Sequence, residues 1–133
     1  MKIYRSLHLS TLLALLPGFS SLQAIAANLD ATAAKPLVND RMWQQPQAHG
    51  SGQLFWAWKS DGTACLRTDG KTSKCADTGK WKLEGDRLCY ELTWWGKSSG
   101  RNSACFRIND HGKGQYEAIQ DNGITLFEFS VLE

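Results

Sequence analysis

From Gly52 onward apolar and polar residues alternate with a period of two, and glycine-containing turn pairs interrupt the alternation at short intervals. That combination predicts antiparallel hairpins rather than helices. Strands are expected over Gln53–Lys59, Thr63–Thr68, Ser73–Ala76, Gly79–Glu84, Arg87–Trp95, Ser103–Asn109, Gln115–Gln120 and Ile124–Val131. Asp61-Gly62, Asp69-Gly70, Gly85-Asp86 and Asn122-Gly123 are pairs that tolerate positive φ at a hairpin tip, and Asn109-Asp110-His111-Gly112 is a longer turn of the same kind. Connections this short leave no room for crossover helices, so an all-β antiparallel meander is expected. Seven or eight such strands remove their exposed edges by closing into a barrel. On this pattern Trp81 and Leu83 share a buried face, as do Leu88, Tyr90, Leu92 and Trp94, then Phe106 and Ile108, then Phe127, Phe129 and Val131.

The chain before Gly52 reads differently. Residues 27–52 are rich in Ala, Asn and Gln, carry Pro36 and Pro46, and are expected to be a flexible lead-in with one helical turn near Asp40 to Gln44. The barrel domain is therefore expected over 53–133. Residues 1–26 have the form of an export signal: Lys2 and Arg5, an apolar Leu7 to Leu16, a Pro17-Gly18 break, and Ala24-Ile25-Ala26 as a cleavage site. The apolar run is far shorter than the ~20 residues needed to span a bilayer, so no membrane span is expected. Cleavage after Ala26 would leave a periplasmic or extracellular chain of 107 residues, enough for one modest core. It would also remove both surplus cations, leaving 13 Lys and Arg against 13 Asp and Glu. A near-neutral chain lacks the dominant basic face that a nucleic-acid partner requires.

All four cysteines, Cys65, Cys75, Cys89 and Cys105, follow the expected cut. An even count in an exported chain points to disulfides, and the absence of a C-x-x-C pair or clustered histidines disfavours a metal site. Four cysteines allow three pairings. Cys65 and Cys75 are equidistant from Gly70, and Cys89 and Cys105 from Lys97, so in two antiparallel hairpins they would face each other as Cys65–Cys75 and Cys89–Cys105.

Catalytic patterns are sparse. His49 lies in the lead-in and His111 in a polar turn, with no visible partner for general-base work. No G-x-S-x-G elbow occurs, and two disulfides would leave no free thiol. Glu91 and Glu117 are the one carboxylate pair worth naming for glycoside chemistry, but alternation places both opposite the apolar face. No calcium-loop spacing is present, so neither metal nor cofactor is expected. The unusual feature is aromatic: six tryptophans between Trp43 and Trp95. Trp56, Trp81 and Trp94 are expected in the core. Trp58 and Trp95, with Lys97 and Arg101 of the neighbouring turn, are the candidate binding residues, because exposed tryptophan marks stacking platforms and hot spots.

The run Gly79-Lys80-Trp81, Gly85-Asp86-Arg87-Leu88-Cys89-Tyr90, Thr93-Trp94, Cys105-Phe106, Gly114-Gln115-Tyr116 and Leu126-Phe127-Glu128-Phe129 resembles an uncharacterised family of small exported proteobacterial proteins with a lipocalin-like look. The resemblance covers residues 53 to 130 and implies an exported lipocalin-like barrel. It supplies no reaction, and Cys65 and Cys75 fall outside its pattern. The expected function is a non-catalytic binding module for a small apolar ligand, a glycan or a protein. The alternatives are an inhibitor or immunity-type protein that blocks a hydrolase through the Trp95–Asn102 loop, and a small secreted hydrolase using Glu91, Glu117 or His111. Whether the barrel is hollow or filled decides much between an internal ligand and a surface partner.

Overall fold

The computed structural model describes residues 27–47 and 52–133; the expected export signal and His49 lie outside them. In chain order the elements are β1 (Ala27–Asn28), α1 (Ala31–Val38), β2 (Arg41–Pro46), β3 (Gln53–Trp58), β4 (Thr63–Arg67), β5 (Asp77–Glu84), β6 (Arg87–Leu92), β7 (Ser103–Gly112), β8 (Gln115–Ile119) and β9 (Thr125–Leu132). A short 3-10 turn, Lys97–Ser99, lies between β6 and β7. Strands β2 to β9 pair in sequence, and β9 returns to pair with β2, giving a closed eight-stranded antiparallel meander barrel. β1 lies beside β7 at Asn109 and Asp110, beyond the stretch of β7 that β6 covers.

The barrel takes in more of the chain than the alternation indicates. Arg41–Pro46, expected in the lead-in, is the strand that closes the cylinder between β3 and β9. Only Trp43 of its six residues is buried, so a strong inward signal is missing from the sequence. Physically that one side chain suffices. Trp43 stacks on Phe129 at 3.8 Å and meets Trp58 edge-on at 4.9 Å. The expected helical turn near Asp40 is instead a sharp bend, with Asp40 at φ 56, while the helix lies earlier. Asp30 caps α1 by accepting from the Ala33 N–H at 2.8 Å.

Helix α1 touches both β2 and β5, strands on different sides of the barrel, and buries Ala34 and Val38 in the common core. It therefore closes one end. The Trp43 indole N–H donates to the Leu37 carbonyl at 2.7 Å and ties the helix to the aromatic interior. Trp43, Trp58, Phe106 and Phe129 are fully buried, so this half of the barrel is filled with side chains.

Both disulfides pair as expected, Cys65–Cys75 and Cys89–Cys105. Their geometry differs. Cys89 and Cys105 are direct partners across the β6–β7 ladder. Cys65 pairs in the ladder with Thr78, and Cys75 belongs to the loop before β5. Residues 73–76, expected as a strand, are thus a connection whose course is fixed by the bridge and by the Ala76 N–H donating to the Leu66 carbonyl at 2.7 Å.

Candidate functional site at the open barrel end

The end opposite α1 is formed where β2 finishes, β3 starts, and the β6–β7 and β8–β9 connections cross. A cleft of about 530 Å³ opens there, with Leu54, Trp56, Tyr90 and Phe127 as its apolar walls. These side chains point inward because they occupy alternate positions of β3, β6 and β9, and they form the upper layer of the same aromatic core. Trp56 and Phe127 lie parallel with ring centroids 6.0 Å apart, and Tyr90 meets Trp56 edge-on at 5.0 Å. Each polar tip has a partner. The Trp56 indole N–H donates to Gln45 Oε1 at 2.8 Å, and the Tyr90 hydroxyl donates to the Arg101 carbonyl at 3.1 Å. Burial pushes the Tyr90 phenol up to about 12, the Arg101 charge only partly opposing it, so the group is a permanent donor at physiological pH.

One rim of the cleft is the β6–β7 connection, and a buried carboxylate holds it. Asp77, at the start of β5, is 5 % exposed. Its Oδ2 accepts the backbone N–H groups of Trp94 at 2.8 Å and Trp95 at 2.7 Å, while Oδ1 accepts that of Thr78 at 2.8 Å. Burial would raise the Asp77 carboxyl, but the Trp95, Trp94 and Thr78 amide hydrogen bonds outweigh it and hold the group below its ordinary value. Past this clamp the chain turns through Gly96 at φ 76, and the Arg101 N–H returns to the Gly96 carbonyl at 2.8 Å. A Cβ at Gly96 would lie 3.1 Å from the Arg101 carbonyl carbon. Glycine is needed there for its φ and for this close approach.

The expected binding residues separate on this frame. Trp95 and Arg101 line the cleft. Lys97 is exposed on the same loop but does not line it. Trp58 lies at the far end of β3, fully buried among Trp43, Trp56 and Trp81, and forms no surface with Trp95. The inward alternation that Trp56 and Trp58 share carries both into the core. Trp94, expected in that core, is 54 % exposed, because β6 stops at Leu92 and the clamped turn carries the ring outward. Trp81 is half-buried against Trp58, its indole N–H donating to the Lys59 carbonyl at 2.7 Å. The sequence pattern marks neither Asp77 nor the place of Trp56, Tyr90 and Phe127 in the cleft wall. Inward alternation marks these aromatics as core, and no local pattern says which core residues stand at the mouth.

The carboxylates considered for hydrolysis stand far apart. Glu91 stands opposite Ser103 and Glu117 opposite Asn109, six residues apart along β7 and roughly 20 Å at the rise of a strand. Glu117 instead meets His111, whose Nε2 is 2.5 Å from Oε2, and accepts from the Thr125 hydroxyl. The Thr125 hydrogen bond, helped by His111, outweighs partial burial and holds the Glu117 carboxyl low. This is a tie across β7, β8 and β9. Neither His111 nor Glu117 lines the mouth cleft. No family model, curated protein or solved structure matches the chain.

Proposed function

We propose that the protein is an exported, non-catalytic binding module that takes a small ligand into the open end of its barrel. The observation that carries this reading is the cleft: apolar aromatic walls continuous with a rigid core, polar groups at the rim, and a helix closing the opposite end. Small-molecule sites have this composition, and barrel mouths are a common place for them. Export is supported by the signal-like residues 1–26 and by two disulfides, which persist in oxidising compartments. Among the described residues no helix is long and apolar enough to cross a membrane.

Thermal unfolding and tryptophan fluorescence against a panel of amphipathic small molecules and short glycans test the reading. A ligand present at 100 times its Kd stabilises the fold by about 2.7 kcal/mol, a readily measured rise in Tm. The variant Ala104→Phe, which fills the cleft beside Tyr90, should remove the shift while the protein remains folded. A panel without any hit, or a hit that Ala104→Phe leaves unchanged, would count against the mouth as a site. One observation favours a second reading, in which the β6–β7 loop blocks a foreign hydrolase: Trp94 is exposed on a turn already fixed by Asp77, and preorganised loops bind tightly. Capture of a hydrolase that Trp94→Ala abolishes and Ala104→Phe spares would select it.

A further inference from the structure

The electrical character of the mouth is set by one side chain. Among the described residues that line the cleft, Arg101 alone carries a charge. It takes part in none of the ion pairs among the described residues, whereas Arg87 and Arg107 are both bound to Asp121. Its backbone is held from two sides, by Gly96 at its N–H and by the Tyr90 hydroxyl at its carbonyl. The Cα is thus anchored at the rim, directly above the Tyr90 wall, and the guanidinium remains available to whatever enters. Beneath it the walls are apolar, and the glutamine amides of Gln45 and Gln120 add only neutral polarity.

Resting on the binding reading above, we infer that the mouth selects an amphipathic anion: an apolar body against Trp56, Tyr90 and Phe127, and one carboxylate, sulfonate or sulfate group on Arg101. A guanidinium is suited to this because its planar fork can offer two parallel N–H donors to such a group, and it sheds water more readily than an ammonium. No acidic side chain among the described lining residues competes for it.

Two probes that share a body and differ in charge test the selection: 8-anilinonaphthalene-1-sulfonate and the uncharged N-phenyl-1-naphthylamine. Both are titrated against the purified protein and read by probe fluorescence. The anionic probe should bind about tenfold more tightly or better, as a charge-assisted hydrogen bond allows. Arg101→Gln should weaken the anionic probe about tenfold more than the neutral one and so abolish the preference, and Arg101→Lys should restore part of it. Near-ultraviolet circular dichroism confirms that each variant is folded, and Ala104→Phe should exclude both probes. Equal affinities in the wild type, or an Arg101→Gln effect identical for both probes, would overturn the anion selection and leave the binding reading standing. Binding of neither probe would overturn both.

Discussion

Asp77 shows how much one side chain can decide. It is a carboxylate removed from water, which is costly unless its lone pairs are occupied, and three backbone N–H groups occupy them. The reverse also holds: without Asp77, the Trp94 and Trp95 amides lose their acceptor at the turn that forms the cleft rim. Asp77→Ala should therefore destabilise the protein by about 2 kcal/mol in urea unfolding, and the Trp94 and Trp95 amides should exchange hydrogen faster than the β6 amides. A pH dependence follows. The folded-state value of Asp77 is lowered from 3.8, so its contribution is fully present above that value and is lost as pH falls below it through the folded value. Stability measured from pH 6 down to pH 2 should fall less steeply in Asp77→Asn than in the wild type. The remaining slope would come from groups such as Glu117, whose carboxyl is also held low. Identical profiles would show that the clamp is not ionic.

At the scale of elements, closure depends on strands approaching each other more tightly than ordinary side chains permit. Gly79 faces Leu92 across the β5–β6 ladder, and a Cβ on Gly79 would stand 2.0 Å from the Glu91 carbonyl oxygen and under 3.0 Å from two further backbone atoms of β6. No rotamer relieves a clash with backbone, so Gly79→Ala must part the two strands. The expected cost is about 3 kcal/mol, seen as a lowered urea midpoint; Gly85→Ala, which meets no atom within 4 Å but stands at φ 61, serves as the comparison that carries backbone strain without a clash and should cost about 1 kcal/mol. A Gly79→Ala protein as stable as the wild type would mean that β5 and β6 do not meet this closely. The same element scale marks where the sequence is legible. Hairpins with Asp-Gly or Asn-Gly tips and inward aromatics are visible because turn chemistry and period-two alternation are local. The Cys89–Cys105 bridge is legible for the same reason, since ladder partners are equidistant from the turn. Residues 73–76 and Trp94 are misread because their courses depend on distant partners, the Cys65 bridge and the Asp77 carboxylate. The candidate site is legible only in Trp95 and Arg101, which share one loop. Its other walls come from strands that only the closed barrel brings together.

For the whole molecule, the test is whether the barrel begins at Gln53, as alternation suggests, or needs the segment before it. Without β2, strand β3 loses a six-residue ladder and β9 loses its closing partner, so both become open edges ready to pair with other chains. The interior loses Trp43 as well, leaving a void bounded by Trp58, Phe106, Phe127 and Phe129. A tryptophan buries 150–250 Å². At about 25 cal/mol per Å² its removal alone forfeits about 4–6 kcal/mol, against the ~5–15 that holds a whole domain together. A protein truncated to residues 52–133 should therefore show no cooperative unfolding transition, lose its near-ultraviolet dichroism, and aggregate with both disulfides intact. Truncation to residues 41–133 removes α1 but keeps β2 and Trp43. The helix contributes two small buried side chains, Ala34 and Val38, and the Leu37 carbonyl that accepts the Trp43 indole N–H, so this form should still unfold cooperatively at a lower Tm. The contrast between the two truncations isolates the closing strand from the helical plug. Equal midpoints for 52–133 and the longer protein would show that β3 and β9 can close without Trp43 between them, and the filled, helix-capped interior that supports the mouth cleft would no longer follow.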